Sequence, residues 1–279
     1  MALKIPRQLR RRAHEILLSR LPRATPASDR AVTVLIPLAA KDVAKAERCV
    51  AAIRRHLQHP VTEIVVAGQD HPAVRAFCAA AGVRFVSEKD VLPQSVLDLD
   101  YLLGGTLDMN GHIRQQMLKL LAFRTLDADN VLVFDADTFL VRDISLFDGD
   151  RQILFLADEY TGVFQIMMEK LIGPFRRHPR SFIAHFMLFQ RDLMAGLEAV
   201  IEKHCGCGMI EAILTRLDRT ITASLSEYEL YGNYLHRFHP ERFSGRYWYN
   251  IKIAPDDARG LDELERRHGR FNSVSAHVH

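Results

Sequence analysis

Two aspartates separated by one small residue, Asp135-Ala136-Asp137, stand directly after the apolar run Val131-Leu132-Val133-Phe134. In an extended segment, residues two apart project to the same face, so both carboxylates can present oxygens to one point while Ala136 points away. Convergent carboxylates attract a hard cation. Mg²⁺ and Mn²⁺ favour oxygen ligands and commonly combine one or two protein carboxylates with the phosphate oxygens of a bound molecule. The pattern predicts a Mn²⁺ or Mg²⁺ site completed by a diphosphate. The bland alternative is a solvated loop pair, and the apolar strand in front of this one argues against it.

Other residues with chemical potential are weaker signals. His185 interrupts the apolar run Ile183-Ala184-His185-Phe186-Met187 and is either a satisfied buried histidine or a polar group facing a substrate. Tyr228, Tyr231 and Tyr234 recur at a spacing that suits one helix face and therefore a core. The lone Trp248 reads either as part of a packed aromatic cluster or as a sugar platform. Cys49, Cys78, Cys205 and Cys207 lack the paired spacing of a zinc site and the density of a disulfide framework, and Cys205-Gly206-Cys207-Gly208 reads as a turn between helices.

The elements that must position Asp135 and Asp137 follow from periodicity. Residues 32–38 form a β-branched apolar run, after which Val43, Ala46, Val50, Ile53 and Leu57 mark one face of a helix. Residues 63–67 read as a second buried strand, 72–81 as a helix and 83–86 as a third strand. A helix over 112–126 then delivers the chain to the strand 131–134, whose carboxyl end carries the acidic pair. Strands alternating with helices predict an α/β fold with a mixed, mostly parallel central sheet flanked by helices, and its carboxyl edge is where such sheets place ligands. Beyond residue 140 the alternation loosens into strands near 153–157 and 181–189 and helices near 191–204, 209–217 and 226–237.

The division expected is a basic segment over 1–30 and one domain over 31–279, with a nucleotide-binding half (31–140) and a second, acceptor-side half (141–279). Residues 1–30 carry eight Lys or Arg against two acids, a net +6, which leaves −3 for the remainder of a chain whose total is +3. That balance argues against nucleic acid as a partner of the body. Leu9, Ile16, Leu17 and Leu21 interleave with arginines as in a basic amphipathic helix that could lie on an anionic membrane; a solvated basic tail is the alternative. No apolar run approaches the ~20 residues that span a bilayer. The expected location is cytoplasmic, with peripheral contact at the inner membrane face left open.

Three blocks of the sequence, Gly111 to Leu120, Phe134 to Thr138 and Ser226 to Tyr234, carry a family resemblance. The chain resembles the GT-A glycosyltransferases, and more closely a bacterial subgroup of glycosyltransferase-like domains of unassigned function. The resemblance implies a GT-A (Rossmann-like) domain and a metal-dependent transfer of sugar from a nucleotide-sugar donor to a saccharide or lipid-linked acceptor, in the setting of cell-surface polysaccharide synthesis. It implies that Asp137 binds the metal, that Asp135 contacts the metal or the donor ribose, and that His277 completes the metal shell, with His279 as a competitor. Lys41 and Asp42 fall in the loop that holds the nucleoside, and Arg114, Gln115 and Lys119 on the helix beside the donor sugar. Two departures stand out: the subgroup has a bulky aromatic at the position of His112, and aromatic residues after the terminal histidine where Val278 and His279 follow here.

An inverting transferase needs a carboxylate to take the acceptor proton, and Glu227 and Glu229 are the candidates. Ser224 with Glu227 and Ser226 with Glu229 also have capping-box spacing, so one of the two could simply close a helix start. The rival reading is a haloacid-dehalogenase-like phosphatase with Asp135 as nucleophile and Asp137 as acid or base. It is disfavoured by the long α/β stretch before the motif and by the lack of a later strand ending in Gly-Asp.

Overall fold

Val32–Pro37 (β1) is apolar or β-branched throughout and fully buried in the computed structural model, which describes residues 27–158, 162–222 and 224–277. The predicted basic segment falls outside the described residues as far as residue 26. After β1 comes α1 (Val43–His56), which buries Ala46, Cys49, Val50 and Ile53 along one stripe and closes with Arg54, Arg55 and His56 near its exposed carbonyls. The next turns of chain are β2 (Val61–Gly68), α2 (Pro72–Ala81) and β3 (Arg84–Ser87). Pro72 opens α2 and Gly82, at φ 60°, closes it.

Two short helices, α3 (Glu88–Val91) and α4 (Gln94–Leu97), and the hairpin β4 (Leu102–Leu103) and β5 (Leu107–Asp108) lead into α5 (Asn110–Leu120) and then β6 (Asn130–Phe134). The remaining elements are β7 (Thr138–Leu140), β8 (Phe147–Asp148), β9 (Arg151–Leu156), α6 (Gly162–Ile172), β10 (Phe186–Gln190), α7 (Arg191–Cys205), α8 (Met209–Arg216), α9 (Glu227–Phe238), β11 (Phe243–Tyr247), β12 (Asn250–Lys252), α10 (Leu261–His268) and β13 (Ser273–Ser275). Gly206, at φ 72°, makes the break between α7 and α8 that the Cys-Gly-Cys-Gly stretch predicts.

The central sheet has the order β10-β6-β1-β2-β3, parallel throughout except for β10, which runs antiparallel to β6. This is the α/β architecture expected, with a mixed, mostly parallel sheet. Alternation along its strands feeds two cores: Leu35, Val65, Val131, Val133 and Met187 pack on one face, and Val34, Ile36, Val66, Leu132, Phe134 and Phe186 on the other. There are two smaller sheets: β11-β9-β8, whose β9 lies against β10, and β12-β13-β7, which the chain enters directly after β6. Among the described residues no helix is long and apolar enough to cross a membrane.

Candidate metal centre and its surroundings

β6 ends in a tight turn rather than an extended segment: the Thr138 amide donates to the Asp135 carbonyl at 3.1 Å, and the chain enters β7. The pair therefore sits on a turn and not on the extended segment expected, yet the two stay close: the charge of Asp135 acts on Asp137, and both neighbour His185.

Asp135 turns inward. Its Oδ1 accepts from Lys119 Nζ at 2.5 Å and from the Tyr228 hydroxyl at 3.4 Å, and its Oδ2 lies 3.3 Å from His185 Nδ1. The same Lys119 ammonium donates to Glu227 Oε1 at 2.6 Å and to the Tyr228 oxygen at 3.0 Å, so its three donors are all spent. The Lys119 and Glu227 side chains are 4% and 3% exposed, which makes this a desolvated ion cluster. Burial would lower the Lys119 pKa, but Asp135 and Glu227 outweigh it and hold the ammonium well above its ordinary value. Burial would likewise raise the Asp135 carboxyl, yet Lys119 and His185 keep it far below the usual carboxylate range.

Asp137 instead meets two histidines. Ligand atoms of Asp137, His185 and His277 all lie within 4.8 Å of one another. Three strand ends bring them together. Asp137 leads into β7; β13 pairs antiparallel with β7, with Ser275 opposite Thr138 and the Ala276 amide donating to the Asp137 carbonyl at 2.8 Å, which sets His277 alongside. His185 comes from the amino end of β10, where Phe186 pairs with Phe134 and the Asp135 amide donates to the His185 carbonyl at 2.8 Å. The His185 and His277 rings stack at 4.5 Å, and Trp248 lies against His185 at 4.9 Å. Burial and the neighbouring charge of Asp135 push the Asp137 carboxyl above its ordinary value, a shift that a bound cation would reverse. A carboxylate and two imidazoles form a donor set that fits a divalent ion.

His185 has φ 57°, the one non-glycine residue in the left-handed region among the described residues. Such a conformation costs an L-residue roughly 1–2 kcal/mol, so the surroundings must hold it. The predicted strand 181–189 begins only after it: Phe186–Gln190 is strand, and Ser181 keeps a single bridge to Ala157. The segment before His185 is pinned from behind. Glu229 Oε1 accepts from Ser181 Oγ at 2.6 Å and from the Phe182 amide at 3.1 Å, while Asn233 donates to Glu229 Oε2 at 2.8 Å. Burial raises the Glu229 carboxyl, opposed by these donors. Phe182 in turn lies directly against Gly232 of α9.

The other sequence candidates fall around this centre. Glu227 and Glu229 are 2% and 1% exposed, and both are hydrogen-bonded within the fold. Ser226 is the N-cap of α9, accepting from the Glu229 amide at 3.3 Å, but the Glu229 carboxylate goes to Ser181 instead of back to the cap. Lys41 is exposed on the loop after β1, and Asp42 pairs with Lys45 at 3.1 Å; the charges of both Asp42 and Lys45 act on Asp137. Arg114 donates to the Leu97 carbonyl, tying α5 to α4, and Gln115 is partly buried on the same helix. Tyr228, Tyr231 and Tyr234 are core residues, and Trp248 is packed, its Nε1 donating to Ser273 Oγ at 2.8 Å. His279 lies outside the described residues. The phosphatase reading needs a free nucleophilic oxygen on Asp135, and both oxygens are engaged. Sequence reasoning left two residues out of the centre: Lys45, for which no spacing signal exists, and His185 as a partner of Asp137, whose signal was a polar residue within an apolar run.

The sheet order, the acidic turn at the carboxyl end of β6 and the histidines around it define a GT-A-like fold. Over 89% of its length the chain is similar to the apo structure of mouse xyloside xylosyltransferase 1, covering 98% of that chain with a TM-score of 0.50 at 13% identity. It is also similar to the galactosyltransferase LgtC, with 88% of this chain and 86% of that one covered, a TM-score of 0.44 and 15% identity. No curated protein matches the chain by sequence. Residues 29–263 match DUF6492, a family of unknown function, and the chain belongs to that family.

Proposed function

We propose that this protein is a divalent-metal-dependent glycosyltransferase, moving a sugar from a nucleotide-sugar donor to a saccharide or lipid-linked acceptor. The observation that carries the reading is the gathering of Asp137, His185 and His277 within 4.8 Å at the carboxyl edge of the central sheet, where α/β sheets bind their ligands. A cation held there would neutralise charge building on a departing nucleoside diphosphate. The chain's own residues do the rest. Asp42 and Lys45, whose charges act on Asp137, and Lys41 next to them in sequence would meet the nucleoside and its phosphates, while Arg114 and Gln115 would bound the donor from α5. Glu227 and Glu229 act as positioning residues: Glu227 balances Lys119, and Glu229 anchors the segment that ends in His185.

The test is thermal unfolding of the protein with Mn²⁺ and a panel of nucleoside diphosphates and nucleotide-sugars. A ligand at a hundred times its Kd contributes about 2.7 kcal/mol, a rise in Tm of roughly 5–10 °C for a chain of this size. The rise should need the metal and vanish in Asp137→Asn, with slow donor hydrolysis in the wild type. Stabilisation that is equal without metal, or unchanged in Asp137→Asn, would refute the reading.

A further inference from the structure

Asp135 and Asp137 do different jobs, and the division follows from His185. The His185 Nδ1 faces Asp135 Oδ2 at 3.3 Å, and a carboxylate can only accept there, so the ring proton belongs on Nδ1. Nε2 is then the lone-pair nitrogen. That atom is buried and finds no hydrogen-bond partner among the described residues, a state that buried polar atoms rarely tolerate without an ion or water to satisfy them. The ring is held in a left-handed backbone conformation, stacked on His277 and backed by Trp248, within reach of Asp137. Asp135 itself is tied on its other oxygen to Lys119, whose remaining donors go to Glu227 and Tyr228.

We infer that His185 binds the metal through Nε2, and that Asp135 is a positioning residue that orients this imidazole while Lys119 locks Asp135 in place. The assignment rests on reading the cluster as a metal centre. It makes a chain carboxylate, histidine, metal of the kind that sets ligand tautomer and basicity. Two imidazoles and one carboxylate also favour a first-row transition ion such as Mn²⁺ over Mg²⁺, which prefers all-oxygen surroundings.

Mn²⁺ binding to the full chain, followed by electron paramagnetic resonance with spin-echo detection of directly bound nitrogen, separates the possibilities. The wild type should show two imidazole nitrogens on the ion, a count that needs no variant. His185→Gln should retain one and bind Mn²⁺ at least about 100-fold more weakly, and the Mn²⁺ to Mg²⁺ preference should narrow about tenfold. Asp135→Asn should retain both nitrogens with an affinity loss of about 10-fold, as expected of a group outside the metal shell. One nitrogen in the wild type, or two undiminished in His185→Gln, overturns the role of His185 while leaving a metal centre in place. Loss of the ion with Asp135→Asn as complete as with Asp137→Asn overturns the positioning role of Asp135. A wild type that binds no Mn²⁺ removes the metal centre itself.

Discussion

Replacing Lys119 with methionine keeps the aliphatic stem of this side chain and removes only the ammonium, which donates at 2.5 Å to Asp135 and at 2.6 Å to Glu227. The two carboxylates are not equally exposed to the consequence. Asp135 retains 15% exposure and can recruit water, whereas Glu227, at 3%, is left as an uncompensated charge in the interior. Removing one partner of a buried pair costs about 3–5 kcal/mol, chiefly through the charge left behind, and Glu227 sets the loss in that range. At roughly 2–4 °C per kcal/mol for a protein of this size, the Tm should fall by about 10 °C or somewhat more. Pairing the change with Glu227→Met puts an apolar contact where the ion pair stood and should recover at least half of the loss. Urea unfolding with both variants measures the two quantities. A single-variant loss below about 1 kcal/mol, or a double variant no more stable than the single, would mean that Lys119 is not what neutralises this cluster.

Two other outcomes follow from packing and from titration. A methyl group at Gly232 would sit 2.3 Å from the Phe182 ring, so Gly232→Ala should cost about 1–3 kcal/mol in urea unfolding; because Phe182 precedes His185, Mn²⁺ affinity should fall as well. His59 is buried, facing the Arg30 carbonyl with Nδ1 at 2.9 Å and accepting from the Leu146 amide on Nε2 at 2.9 Å, an arrangement that only the neutral ring can make. Burial lowers its pKa in the fold, so the stability it contributes is full above the unfolded value of about 6.5 and is lost as pH falls through the folded one. His59→Gln should accordingly be less stable than wild type at neutral pH, with a gap that shrinks toward about pH 5; a gap independent of pH would refute this.

The sequence by itself determined the frame of this protein. Apolar runs at 32–38 and 131–134 and helix-period stripes at 43–57, 72–81 and 226–237 are local signals, written into neighbouring residues, and the structure has each of them to within a residue at either end. The place of Asp135 and Asp137 at a carboxyl strand end follows from the same locality, and so does the helix start at Ser226. The helices at 162–172 and 261–268 were legible in principle, since Phe164, Met167, Met168, Leu171 and Ile172 carry the helical period. What only the tertiary structure decided is how the acidic pair is divided. The turn at 135–138 gives the two aspartates different partners: Asp135 meets Lys119, and Asp137 meets His277. The pairing of β10 with β6 and of β13 with β7 then sets two histidines from far off in the chain into the site, His277 beside Asp137 and His185 beside both aspartates. Lys119, Glu227 and Glu229 look like surface charges in any local window; they are interior because α5 packs against α9 and β1, and in that dry setting each charge is stable only beside the partners that distant segments supply.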